Sequence, residues 1–177
     1  VQIAKYNTFL DNIDKCKMDE TKKKQWTSEV KCLRAYFFYN LAFYFKDVPM
    51  PLTTLNVDEA NTIKQTSQAD VYSQVESDLK TAIEVLPEKY SGSDFGRITK
   101  GAALTMLGRV YLARNDYQDA ATAFKQVMDL GIYSIDNSNG VNSYEKLFQI
   151  GGENSSEMIF SIMGIKDKFT NSRYQYL

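Results

Sequence analysis

The chain has 177 residues, enough to close one domain around a sizeable core. It is 44% hydrophobic and 24% charged with a net charge of −1, which marks ordinary folding material and gives no electrostatic case for nucleic acid. Histidine is absent, and with it go His-based triads, His general bases and nearly all zinc sites.

Ile3, Tyr6, Leu10 and Ile13 recur at spacings of three and four and predict a first helix over 2–16. The opening VQIAKYNTFL shows no secretory leader. A second helix, 21–45, carries Trp26, Val30, Leu33, Phe37, Leu41 and Tyr44 as its main stripe, widened by Phe38, Ala42 and Phe45. A stripe that wide calls for more than one neighbour. Its most apolar run, 32–45, is too short to span a bilayer and is interrupted by Arg34 and Asn40, so it reads as a buried core helix. Lys22–Lys24 read as a solvated face. Cys32 lies roughly 18 Å along this helix from the turn that holds Cys16, beyond the ~7 Å that a disulfide allows. Two unpaired, largely buried thiols are expected.

Asp47-Val48-Pro49-Met50-Pro51 stops the helix, and 46–66 reads as a long polar loop. Ser67, with Asp70 three residues on, caps a third helix over 68–86 whose stripe is Val71, Val75, Leu79, Ala82 or Ile83, and Leu86. A Gly/Ser loop, 88–98, leads to Thr99 as cap of a helix over 100–114. Asp116 is placed to cap another over 117–130, which Gly131 ends. A polar loop, 136–142, precedes a short helix near 144–148. EMIFSIMGI, 157–165, is the one strand-like run, and with only a weak partner after it the chain reads as stopping before its fold closes.

The firmest pattern is tetratricopeptide-like. Leu107-Gly108-x2-Tyr111 followed by Ala120-x3-Phe124 matches the repeat, with Leu104 in the Trp place and Ile132 in the Pro place. The small residues let two antiparallel helices approach, and Tyr111 and Phe124 fill the space around them. This places a repeat hairpin over 99–133. A degraded copy, 21–87, has Phe38-x2-Leu41-Ala42-x2-Phe45 in its first helix and Val75-x3-Leu79 with Pro87 in its second, interrupted by the insertion 46–66. The fold class is therefore mainly α, helical repeats with a short strand near the C-terminus.

This pair of repeats resembles the SusD/RagB family of outer-membrane nutrient-binding lipoproteins. Leu33-Arg34-Ala35 with its aromatic continuation to Tyr44 is similar to the family's long helix. Asp47-Val48-Pro49 resembles its G-D-V-P turn, with Lys46 where Gly is usual. Gly96-Arg97-Ile98-Thr99-Lys100-Gly101-Ala102-Ala103, then Tyr144, Leu147-Phe148 and Glu157-Met158-Ile159-Phe160, follow in the family's order. The resemblance implies a lipid-anchored, surface-exposed protein of the outer membrane of Bacteroidetes-type bacteria. Such a protein binds oligosaccharides or other nutrients and delivers them to a TonB-dependent (SusC-like) transporter, with no catalysis. It also implies that 1–177 is a single internal segment whose lipid anchor and C-terminal half lie elsewhere. The other reading is a plain tetratricopeptide scaffold that binds a peptide or protein in its groove.

No phosphate loop or dinucleotide fingerprint is present, and no cofactor is called for. The IDNSNG loop puts Asp136 out of calcium-loop register. Asn154-Ser155-Ser156 is a formal glycosylation sequon. Arg97, just before a helix N-terminus, opposes the dipole and is expected to pair with a carboxylate, Asp78 or Glu84. Sugar binding favours aromatic faces beside planar polar groups. Arg173, Tyr174 and Tyr176 in the last loop have that composition and are the candidate ligand-binding residues.

Overall fold

Short polar side chains set most of the helix starts. In the computed structural model, which describes residues 2–137, 140–149, 152 and 155–161, α1 covers Gln2–Asn12 and tightens into a 3-10 turn over Ile13–Lys15. Cys16 follows that turn and is exposed, whereas Cys32 is fully buried. The expectation of two buried thiols therefore fails at Cys16, because the helix ends four residues before it. Burial, with the Asp78 charge nearby, holds the Cys32 thiol far above its ordinary pKa.

The longest helix, α2, spans Glu20–Phe45, and the Asp19 carboxylate accepts the Lys22 N–H at 2.9 Å to close its first turn. It lies along α4 (Gln68–Val85), which in turn packs on α5 (Lys100–Ala113), and α5 pairs with α6 (Tyr117–Asp129). One core runs through these four, built on Cys32, Ala35, Phe38 and Ala42 of α2, Val71, Val75 and Leu79 of α4, Leu107 and Val110 of α5 and Ala120 of α6. The expected main stripe of α2 is not its deepest face. Phe37 turns toward Tyr6 of α1, the ring centroids 5.8 Å apart. Trp26, Tyr44 and Phe45 are exposed, so the run 32–45 is buried over its first part only. The small residues Ser28, Cys32, Ala35 and Ala42 sit innermost, which lets α2 approach its neighbours closely.

Lys46 ends α2 with φ +61° and ψ −107°, its N–H donating to the Ala42 carbonyl at 2.9 Å. This backbone conformation suits glycine and strains an L side chain. Lys46→Gly is therefore expected to raise the unfolding free energy by about 1 kcal/mol, read by chemical denaturation. An unchanged or lowered stability would contradict the strain.

The insertion 46–66 is more ordered than a polar loop. Its ends pair as two-residue antiparallel strands, β1 (Val48–Pro49) and β2 (Gln65–Thr66), with Val48 opposite Thr66. Between them α3 (Val57–Thr62) starts at a reciprocal capping box: Asn56 accepts the Glu59 N–H at 2.9 Å and Glu59 accepts the Asn56 N–H at 2.9 Å. Asp47 accepts the Gln68 N–H at 2.9 Å, and the Gln68 side chain donates to Ala42 at 2.7 Å. The insertion is thus tied to the end of α2 and the start of α4.

Ser67 and Thr99 cap α4 and α5 as expected, Ser67 accepting from Asp70 and Thr99 from Ala102. Asp116 precedes α6 without capping it; its carboxylate pairs with Arg114 at 3.2 Å instead. In the α5–α6 hairpin the Phe124 ring lies over Gly108, where an added Cβ would meet it at 2.6 Å. Gly131 follows α6 with φ +66°. A short α7 (Ser143–Lys146) comes next, exposing Tyr144. Over 155–161 the backbone forms no strand among the described residues, which departs from the strand expected at 157–165; residues 162–165 lie outside them. This stretch is bound to the segment after α6 instead: the Ser134 N–H donates to Ser156 at 3.2 Å and the Asp136 N–H to Glu157 at 3.1 Å.

Glu76 joins α4 to α5. It accepts from the Tyr111 hydroxyl at 3.0 Å, from Lys80 at 2.7 Å, and from Arg114. Burial pushes its carboxyl up, but the Lys80 and Tyr111 hydrogen bonds and the Lys80 and Arg114 charges outweigh it and leave the pKa lowered. A folded-state pKa below the unfolded one adds stability above the ordinary carboxyl range, and that stability is lost as pH falls through the lowered value. Glu76→Gln should therefore flatten the fall in stability between about pH 5 and pH 3, measured by denaturation midpoints. Parallel profiles for the two proteins would refute this.

Candidate ligand-binding surface

The sequence-derived candidates Arg173, Tyr174 and Tyr176 lie outside the described residues, as does Asn154 of the sequon. Among the described residues, side chains positioned by the helices form two polar clusters and a cleft.

The base of the insertion rests on a buried polar network. Arg34 and Asp78, both almost fully buried, form a two-pronged pair: Nε and Nη2 of Arg34 reach Oδ2 of Asp78 at 3.0 and 2.8 Å, and Nη2 reaches Oδ1 at 3.1 Å. The remaining Arg34 nitrogen donates to Asn7 and to the Leu52 carbonyl, each at 3.1 Å. Asn7 donates onward to the carbonyls of Pro51 and Thr53 at 2.8 and 3.0 Å. Three successive loop carbonyls are thus fixed by two side chains of α1 and α2. Among the described residues no buried side-chain nitrogen or oxygen lacks a partner.

Arg97 forms the second cluster. It does pair with carboxylates, but with Glu29 and Asp94 and not with Asp78 or Glu84. Nε and Nη2 grip Glu29 at 2.9–3.1 Å, and Nη1 reaches Asp94 at 2.8 Å. Asp78 is committed to Arg34, and Glu84 sits exposed near the end of α4. Glu29 also accepts from the Tyr90 hydroxyl, which itself accepts from Gln25 at 2.7 Å. The Arg97 guanidinium lies over the Tyr90 ring at 5.3 Å and near Trp26 at 6.0 Å. Burial and the Glu29 hydrogen bond push the Tyr90 phenol up to about 12, so it stays protonated as a donor. Glu29, Gln25 and Trp26 share one face of α2 at helical spacing, but nothing in their spacing names Arg97 as their partner.

Beside this cluster opens a cleft of about 230 Å³, lined by Tyr90, Phe95 and Arg97, by Thr99 at the start of α5, by Tyr133 after α6 and by Met158–Ser161. Tyr133 also packs on Gly101, where an added Cβ would meet its hydroxyl at 2.4 Å, and it shares a hydrogen bond with Thr99 at 3.2 Å. Among the described residues no group of His, Cys, Asp and Glu side chains could hold a metal ion, and no helix is long and apolar enough to cross a membrane.

Residues 1–112 match the SusD-like family model described as starch-binding, associating with outer membrane. SusD-like protein P25 of Formosa agariphila is 25% identical over 162 residues, 91% of this chain and 30% of its own length. Among solved structures, a SusD-like carbohydrate binding protein from Bacteroides fragilis is 34% identical with a TM-score of 0.82, over 89% of this chain and 30% of that one. A laminarin binding SusD-like protein is 32% identical with a TM-score of 0.79, over 89% of this chain and 34% of that one. The chain thus spans about a third of the length of these relatives. The long aromatic helix, the D-V-P turn locked to the start of α4 and the α5–α6 hairpin all fall within the shared fold, and the chain belongs to the SusD-like family.

Proposed function

We propose that this chain is the helical scaffold of a cell-surface protein that binds oligosaccharides or related nutrients and hands them to a TonB-dependent outer-membrane transporter, with no reaction of its own. The observation that supports this most is the likeness of nine-tenths of the fold to SusD-like proteins described as carbohydrate binding and laminarin binding. The α2–α4 pair is read as a repeat interrupted by the insertion, and the α5–α6 hairpin as the second repeat. On this reading the repeats hold loops in fixed positions, and the residues that meet the glycan stand in those loops. Arg173, Tyr174 and Tyr176 remain proposed contacts on their composition. Attachment to the outer membrane is through a lipid, as in the family.

The test is affinity electrophoresis of the full-length protein through gels that contain starch, laminarin or a polyuronate. Retardation by at least one polysaccharide is expected. If none retards it while an extended peptide binds, the generic tetratricopeptide scaffold is the better reading.

A further inference from the structure

We infer that the cleft between Tyr90, Phe95, Arg97, Tyr133 and Phe160 is a subsite for one neutral sugar ring of a bound glycan; this rests on the glycan-binding reading above.

Size argues first. At about 230 Å³ the cleft falls below the range of pockets that enclose drug-sized ligands, ~300–1,000 Å³. It has room for one ring and leaves the rest of a longer chain outside. The lining argues next. Tyr90, Phe95, Tyr133 and Phe160 line it with aromatic surface for the C–H faces of a pyranose, and Thr99, Ser155 and Ser156, whose hydroxyls are hydrogen-bonded to Tyr133, Asp136 and Ser134, add polar groups to its wall. A sugar ring presents the same two kinds of surface: apolar faces and a rim of hydroxyls.

Charge decides between neutral and acidic sugars. Arg97 lines the cleft, and it is matched by Glu29 in a two-pronged pair and by Asp94 at 2.8 Å. At the rim, Lys89 stands beside Glu88, both exposed. No uncompensated positive charge among these residues would favour a uronate or a phosphate. The lining is also set in advance. Arg97 is held by two carboxylates, Tyr90 between Gln25 and Glu29, and Tyr133 by Thr99 and by its packing on Gly101, so little ordering remains to be done on binding. Phe95 is the exception. It follows the Gly92–Asp94 turn and stays 45% exposed beside the cleft.

The experiment uses the full-length protein and, as probe, whichever neutral polysaccharide retards it, with a polyuronate beside it. Phe95→Ala is expected to weaken binding of the neutral glycan by about tenfold, and Phe95→Tyr to keep it. Phe43→Ala, at an equally exposed aromatic on α2 outside the cleft, is expected to bind like the parent. If Phe95→Ala binds like the parent while the parent is retarded, the subsite is wrong and the glycan reading stands. If the parent is retarded by no glycan, the glycan reading itself fails and the subsite with it. If Phe95→Ala lowers the melting temperature and leaves affinity unchanged, the cleft is filled by the protein's own chain, and the inference is overturned. A parent that prefers the polyuronate, with the preference lost in Phe95→Ala, overturns the neutral assignment.

Discussion

Asp78→Ala is expected to lower the unfolding free energy by about 3–5 kcal/mol, the first of the two largest effects foreseen for this fold. The carboxylate takes three of the hydrogen bonds from the Arg34 guanidinium, and both side chains are about 95% buried. Removing it leaves a buried cation with only Asn7 and the Leu52 carbonyl for company. Water cannot easily repair this, because Cys32, Val75 and Leu79 close around α2 and α4 at this level. The charge itself is not what the fold requires. Arg34→Met with Asp78→Leu replaces both ions by apolar side chains, and should recover part of the loss. Chemical denaturation of the three proteins separates the cases, and a loss below about 1 kcal/mol in Asp78→Ala would mean that the pair is solvated. The double variant carries a second readout. Without Arg34 the Leu52 carbonyl loses its donor, so limited proteolysis should cut within 50–54 faster than in the parent even where global stability is restored.

That network marks the boundary of what the sequence discloses. Caps and repeats are local, so they leave a local trace. Ser67, Thr99 and Gly131 end or begin helices where their chemistry says, and Leu107-Gly108-x2-Tyr111 with Ala120-x3-Phe124 builds the α5–α6 hairpin. The capping box at Asn56 and Glu59 left the same kind of trace, and the polar composition around it hid α3. β1 and β2 are too short for any alternation to register. Ion pairs between distant residues leave no trace of either kind. Arg97 needs a carboxylate, but its choice of Glu29 is settled by how α2 lies across the loop before α5. Asp78, an expected partner, is taken up by Arg34, which stands on α2 like Glu29 itself. For the same reason the cleft could not be read from spacing: its walls come from segments near 90, 97, 133 and 159. Composition alone points to Arg173, Tyr174 and Tyr176 as ligand residues, the one signal that exists without that geometry.

The second large effect tests the face of α2, where periodicity misled. Apolar and aromatic side chains surround the last four turns of this helix, so the pattern has amplitude without phase. The helix could have turned Leu33, Phe37 and Tyr44 inward. Phe38 is instead fully buried, while Phe45, seven residues on, is 69% exposed. The two differ by two turns of helix and little else in sequence. The reason lies in the partners. Phe38 stands in the α2–α4–α5 core between Ala35 and Ala42, whose small side chains let α4 come close. Phe45 comes after the last of them, where the chain is about to turn at Lys46. Phe38→Ala is accordingly expected to cost about 3–5 kcal/mol, from lost transfer free energy and from a cavity that rigid helices cannot collapse to fill. Phe45→Ala should change stability by less than about 0.5 kcal/mol. Equal losses at the two positions would mean that α2 is rotated from the position described. A large loss at Phe45 alone would mean that its ring is covered in the whole protein, and would place a contact surface at the C-terminal end of α2.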